Sequence, residues 1–195
     1  MKRLFVIAGL IFTGMAANAQ VYAGGSFNMD GNSTKNNDGE KQTTTFSIGL
    51  QPEIGYYLTD RCDVGASLRL GYTGDKDHTT DTKTETTNWR LSPFIRYALF
   101  QIGKFEVIER TNVFIGGAKN GAGTKTFNAG AGITPILAYN LNDRLALQTE
   151  LNFVSVGLTY SKVKDGNSTV NSNIGFNADN LLNVGGITIG FRYKF

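Results

Sequence analysis

Residues 127–141, FNAGAGITPILAYNL, decide the fold of this chain. Apolar residues stand at every second position, and mostly small or polar residues stand between them. One face consists of Phe127, Ala129, Ala131, Ile133, Pro135, Leu137 and Tyr139, and the other of Asn128, Gly130, Gly132, Thr134, Ile136 and Ala138. A period of two is typical of a β-strand, because successive side chains point to opposite faces. The stretch therefore predicts one long strand with unlike faces.

The same alternation recurs on both sides of this stretch. Four further segments are regular, at residues 46–56, 64–72, 89–99 and 187–195. Three segments fit less well, at residues 21–29, 105–115 and 145–160. In the second, Glu109 and Thr111 must share the apolar face, and in the third the apolar face changes parity after Phe153. We expect a β-bulge in each of these two, and eight strands in all.

The connections between the predicted strands alternate between short and long. Tight turns are predicted at residues 59–61, 101–104 and 140–143, and long polar loops at 30–43, 73–87, 117–125 and from 161 to 173 or beyond. Short turns at one end and long loops at the other, with an even strand number, predict an eight-stranded antiparallel up-and-down transmembrane β-barrel. The spacing of about 40 residues between tight turns also occurs in β-propellers. Two long strands per repeat argue against that alternative.

The polarity of the two faces indicates which of them points outward. A soluble barrel such as a lipocalin places its apolar face inside, whereas a membrane barrel places it outside. The polar face here is rich in Gly, Ser, Thr, Asn and Gln, which suit a crowded lumen better than a surface in water. An aromatic girdle is predicted on the apolar face near the tight turns, at Tyr56, Tyr97, Tyr139 and Tyr193. The apolar face is therefore expected to contact lipid.

The N-terminus and the composition bound the protein class. Residues 1–19 have a basic start at Lys2 and Arg3, a short apolar run and an Ala-Asn-Ala box, which predict a signal peptide followed by a barrel at residues 20–195. The chain has 195 residues, 41% of them apolar, with only one long apolar run, which excludes disorder and a helical multispanning protein. A formal charge of +3 gives no indication of nucleic acid as a partner.

The chain resembles the small outer-membrane β-barrel domains of the OmpX-like or OmpA-like type, in the form common among Bacteroidota. The resemblance rests on the Ala-Asn-Ala box before Gln20, on residues 92–97 (SPFIRY) and on residues 190–195 (GFRYKF). It implies an outer-membrane location and contact with the lipid bilayer. The alternating Phe191, Tyr193 and Phe195 resemble the C-terminal signal recognised by the barrel-assembly machinery.

The polar face also carries charges that we expect to meet in the lumen. Counted from the nearest turn or chain end, five of them lie at similar depth: Glu53, Arg69, Arg96, Glu150 and Arg192. Charges in so narrow a space must pair, so the sequence predicts a paired layer that closes the lumen. The alternative is a charge-lined pathway, which would make the protein a small passive channel or carrier.

Other chemistry-bearing residues give weaker indications. His78 is the only histidine and lies in a predicted loop, which argues against an outer-membrane lipid hydrolase. Asp75, Asp77 and Asp81 lack the spacing of a calcium loop, and Cys62 has no second cysteine. We therefore predict no catalytic residues, metal site or cofactor. The function expected is surface interaction or envelope integrity, with an extracellular partner that the sequence does not identify.

Overall fold

The structure, a computed structural model, describes residues 20–35, 41–151, 154–163, 166, 168–176 and 188–195. The predicted signal peptide, residues 1–19, lies outside the described residues. Within them, no helix is long and apolar enough to cross a membrane. The strands are β1 (Val21–Lys35), β2 (Lys41–Tyr57), β3 (Cys62–Asp77), β4 (Thr82–Ile102), β5 (Phe105–Asn120), β6 (Lys125–Asn140), β7 (Leu145–Glu150), β8 (Val154–Val163), β9 (Ser168–Phe176) and β10 (Ile189–Lys194).

The strands close into a barrel at the end that carries the tight turns. Each strand from β1 to β6 pairs with its successor, β7 pairs with β10, and β10 pairs with β1, always antiparallel. This ring has eight positions, which confirms the predicted fold class. Toward the other end β8 replaces β7 beside β6, and β9 pairs with β8.

The apolar face of the barrel points outward. Phe127, Ile133 and Leu147 are each at least 40% exposed, whereas Arg96 is fully buried. The buried polar residues are Glu53, Asp63, Ser67, Ser92, Arg96, Arg110, Gln148 and Arg192. A soluble barrel would show the opposite arrangement, so the predicted orientation of the faces is the one found.

The predicted long loops are largely strand, which corrects the sequence analysis. β1 and β2 cover most of residues 30–43, and β3 and β4 leave only residues 78–81 between them. Likewise β8 continues to Val163 and β9 begins at Ser168. Polar composition suggested loops, but threonine favours strands and its hydroxyl bonds across them. Thr45 Oγ1, for example, donates to Asp75 Oδ1 at 2.6 Å.

The two predicted bulges have different outcomes. β5 pairs with β6 without interruption from Phe105 to Lys119, so the predicted bulge in β5 is wrong. The irregularity lies in β4, between Ala98 and Phe100. Glu109 lies on the outer face without a bulge, opposite Tyr97 of the predicted aromatic girdle.

The change of parity after β7 is present and larger than predicted. Ile136 pairs with Glu150, so continuous pairing would put residue 153 opposite Ile133, but Ile133 pairs with Val156. The chain thus has three residues more than continuous pairing needs, where we expected one. An odd number of extra residues moves the side chains to the other face, and both Leu147 and Leu158 are exposed.

Candidate functional site

Arg96 is the centre of a charged network inside the barrel. It lies on β4 at a position that points inward, and it is fully buried. Its Nη1 is 3.0 Å from Glu53 Oε1, and its Nε donates to Asp63 Oδ1 at 2.9 Å. Asp63 is the residue opposite Arg96 in the β3–β4 register. The Tyr22 hydroxyl donates to the same carboxylate at 2.7 Å, which adds β1 to the network.

Glu53 joins Arg96 to a second arginine. Arg110 is opposite Arg96 in the β4–β5 register, and two guanidinium groups so placed repel each other. The Glu53 carboxylate lies between them, because its Oε2 is 3.5 Å from Arg110 Nη1. Gln148 Nε2 donates to Glu53 Oε1 at 3.2 Å. Arg110 also lies 3.5 Å from Glu150 Oε1.

We call these five residues, Glu53, Asp63, Arg96, Arg110 and Glu150, the interior charge cluster. Its contacts, with Tyr22 and Gln148, join side chains of β1, β2, β3, β4, β5 and β7 across the lumen. Aromatic rings fill the space beside the guanidinium groups, with Arg110 Cζ 4.2 Å from the centre of the Phe94 ring. Such a cluster is held by mutual pairing, because a buried charge that loses its partner is strongly destabilising.

The five charges predicted as one layer do not form one. Glu53, Arg96 and Glu150 belong to the interior charge cluster. Arg192 instead pairs with Glu106, Nη2 to Oε2 at 3.0 Å. Arg69 stands opposite Arg90 in the β3–β4 register, and its Nη2 donates weakly to Asn28 Oδ1 at 3.5 Å. Strands in a barrel are tilted, so equal distances from a turn do not give equal heights.

Besides Gln148, four contributing residues were missed in the sequence analysis: Tyr22, Asp63, Glu106 and Arg110. The signal for three of them was available as parity. Asp63 shares the face of Gly65 and Ser67, while Glu106 and Arg110 share the face opposite Phe105 and Val107. Tyr22 had a weaker signal, because β1 is rich in glycine.

The lumen is polar on both sides of the interior charge cluster. On the tight-turn side there is a cavity of about 620 Å³, whose lining includes Gln20, Tyr57, Glu106, Asn140, Arg192 and Lys194. On the hairpin side the lumen is lined by Arg69, Arg90, asparagines and glycines. A Cβ at Gly71 would lie 2.6 Å from Asn88 Oδ1, so the asparagine amide occupies the space left by glycine.

Most residues of the predicted aromatic girdle and of the C-terminal aromatic group are exposed on the outer face. Tyr97 and Tyr193 are 46% and 37% exposed on the outer face. The Tyr139 ring lies 4.9 Å from that of Phe105 beside a tight turn, and Tyr56 Oη donates to Gln20. Phe191 and Phe195 are also exposed, and the backbone N–H of Phe195 donates to Val21 at 3.0 Å.

The remaining sequence candidates all lie on β3 or in the turn that follows it. His78 Nε2 is 3.1 Å from Thr44 Oγ1 in a hairpin. The Asp77 carboxylate accepts hydrogen bonds from the backbone of Thr80 and Thr79, which lower the pKa of Asp77. No group of three His, Cys, Asp or Glu residues within the described ranges is arranged to hold a metal, and the Cys62 thiol is free.

Comparisons with known proteins give structural neighbours only. No family model and no curated protein matches the chain. Neisserial surface protein A is 16% identical, with 91% of this chain and 98% of that chain covered and a TM-score of 0.44. The outer membrane protein OprG from Pseudomonas aeruginosa is 16% identical, with 90% and 94% covered and a TM-score of 0.48. For outer membrane protein W from E. coli the values are 14%, 90%, 97% and 0.43. Identities this low carry no information on function.

Proposed function

We propose that this protein is an outer-membrane β-barrel whose lumen is closed by the interior charge cluster. Its role is that of a non-conducting surface or envelope-integrity protein rather than a channel. The observation that carries this proposal is the complete burial of Arg96 between two carboxylates of neighbouring strands.

The dimensions of the apolar band support the membrane location. On β6 the outward residues from Phe127 to Tyr139 span about 40 Å along the strand, at roughly 3.3 Å per residue. A strand tilted by about 45° then spans a height of about 28 Å, close to the apolar band of about 25 Å in outer-membrane barrels. A closed barrel gives every backbone N–H and C=O group in the membrane a hydrogen-bond partner on a neighbouring strand.

The network inside the barrel supports a closed lumen. Glu53 reaches arginines on both β4 and β5, and Asp63 is held by Arg96 and Tyr22. An ion moving through this level must break contacts between buried charges, which costs several kcal/mol for each one broken. An eight-stranded barrel is only wide enough for side chains to fill it, which leaves little room beside them.

The hairpins supply the surface at the other end. Beyond the apolar band, β1–β2 and β3–β4 continue as paired strands that carry Thr, Asp and Lys. Hydroxyl contacts such as Thr34 Oγ1 to Thr43 Oγ1, 2.7 Å apart, join neighbouring strands there. A polar surface of paired strands suits contact with an external partner better than passage of a solute.

Two measurements test this proposal. The refolded protein should migrate differently on SDS gels before and after boiling, because a closed β-ladder resists the detergent. In planar bilayers the wild type should show no steady conductance. Identical migration under both conditions would contradict the membrane barrel, and a stable open state would favour the small-channel alternative.

A further inference from the structure

The outer face of the barrel has a notch near the hairpin end of its apolar band. Trp89, Gly117, Phe127 and Lys162 form one cross-strand row on β4, β5, β6 and β8. Gly117 has no side chain to fill the space between the two aromatic residues. A Cβ there would lie 3.0 Å from Trp89 Nε1, so the indole leans over the glycine. The result is a cavity of about 420 Å³ between Trp89 and Phe127.

Lysines border this notch. Lys125 and Lys162 line the cavity, and Lys119 lies opposite Lys125 in the β5–β6 register. In the described part of the chain none of the three forms an ion pair. Like charges directly opposite each other in a sheet are destabilising, and a bound anion would relieve that repulsion.

We propose that this notch binds a lipid with a phosphate-bearing headgroup in the outer leaflet. Lys125 is two residues beyond Phe127, about 7 Å farther toward the hairpin end. Going from the membrane surface toward the membrane centre, the notch presents lysine ammonium groups first and aromatic side chains next. A phospholipid presents its phosphate and its acyl chains in the same order. The notch opens on the lipid-facing surface, so a lipid is its natural occupant. This inference rests on the proposed membrane location.

The chain contains a single tryptophan, which makes the site measurable. The protein is placed in phosphatidylcholine vesicles that contain a small fraction of brominated phosphatidylglycerol or, in parallel, brominated phosphatidylcholine. Bromine on an acyl chain beside the indole quenches Trp89 fluorescence. We expect the anionic lipid to quench at a several-fold lower mole fraction than the zwitterionic lipid.

Three variants separate the contributions to this preference. In Lys125→Gln/Lys162→Gln the several-fold advantage of the anionic lipid should vanish, because each lysine near the membrane surface contributes roughly fivefold to the binding of an anionic headgroup. Gly117→Leu should reduce quenching by the anionic lipid while both lysines remain. Lys104→Gln removes one positive charge at the tight turn of the opposite end and should keep the wild-type preference. Each variant is first checked for a shift in migration on heating, and the lysine variants test the site even if Gly117→Leu does not fold.

The possible failures are distinguishable. Absence of quenching by either lipid would contradict the membrane barrel itself. Equal quenching by both lipids in the wild type, or an unchanged preference in the double lysine variant, would overturn the lipid site and leave the barrel intact.

Discussion

The exchange Glu53→Gln tests whether the interior charge cluster holds the barrel closed. It keeps the size of the side chain and removes the one carboxylate shared by Arg96 and Arg110. Breaking a buried ion pair by removing one partner costs about 3 to 5 kcal/mol. Because the glutamine oxygen still accepts a hydrogen bond, we expect roughly 3 kcal/mol. At a denaturant slope of about 2 kcal/mol per molar, the urea midpoint should fall by about 1.5 M.

Glu150→Gln provides a comparison inside the same cluster. Glu150 makes one contact with Arg110 at 3.5 Å, and its side chain is 21% exposed. A partly exposed pair of this kind contributes less than about 1 kcal/mol. Glu85→Gln is the control for removing a carboxylate, since its partner Lys83 at 2.6 Å is exposed and no change in the midpoint is expected.

The assay follows urea unfolding of the barrel in lipid vesicles by Trp89 fluorescence and by migration on unheated gels. Planar-bilayer recordings of the same preparations show whether the lumen opens. We expect Glu53→Gln to introduce brief openings, because water then solvates the arginine charge that lost its partner. A midpoint within error of the wild type for Glu53→Gln, or a larger loss for Glu150→Gln, would refute this account of the cluster.

Two further predictions concern the ends of the molecule. Deletion of Phe195 should reduce the amount of barrel assembled in the outer membrane more than it lowers the urea midpoint of the refolded protein, because its exposed ring contributes little to packing and the deletion removes one backbone hydrogen bond, to Val21. Normal levels in cells would contradict a role in assembly. Asp77 should titrate below its ordinary value of 3.8, as followed by the amide signals of Thr79 and Thr80. Because the pKa of Asp77 is lower in the folded state, its hydrogen bonds stabilise the hairpin fully above pH 3.8, and this stabilisation is lost as the pH falls through the folded-state pKa. Titration at or above 3.8 would show that the two hydrogen bonds do not form.

Parity carried most of the information that sequence contains about this fold. It identifies the outward face of β6 correctly from Phe127 to Tyr139, because each residue in a strand must take one side or the other. It also places Glu53 and Arg96 inside, where the structure joins them. Strand ends were predicted less well, because threonine-rich hairpins pair outside the membrane and polar composition alone does not distinguish them from loops.

The alternation of residues does not indicate how high a side chain lies along the barrel axis. Arg192 and Glu53 occupy one cross-strand row through Gly24, yet Arg192 pairs with Glu106 on the far side of the lumen. Contacts across a lumen depend on strand tilt, on register and on side-chain length together. Glu106 and Arg110 were therefore missed although they alternate with Phe105 and Val107, since nothing in their spacing indicates which opposite strand they reach.

The interior charge cluster helps to select the strand register, which the alternation of apolar residues leaves undetermined. A slip of two residues between neighbouring strands keeps every apolar side chain outside, so the hydrophobic pattern does not exclude it. Charges do, because Arg96 lies opposite Asp63 in the observed β3–β4 register and would lie opposite Gly65 or Arg61 after such a slip. Either alternative takes the Asp63 carboxylate away from the buried guanidinium of Arg96, at a cost of several kcal/mol. Pairing inside the lumen therefore selects one register among those that lipid accepts equally well.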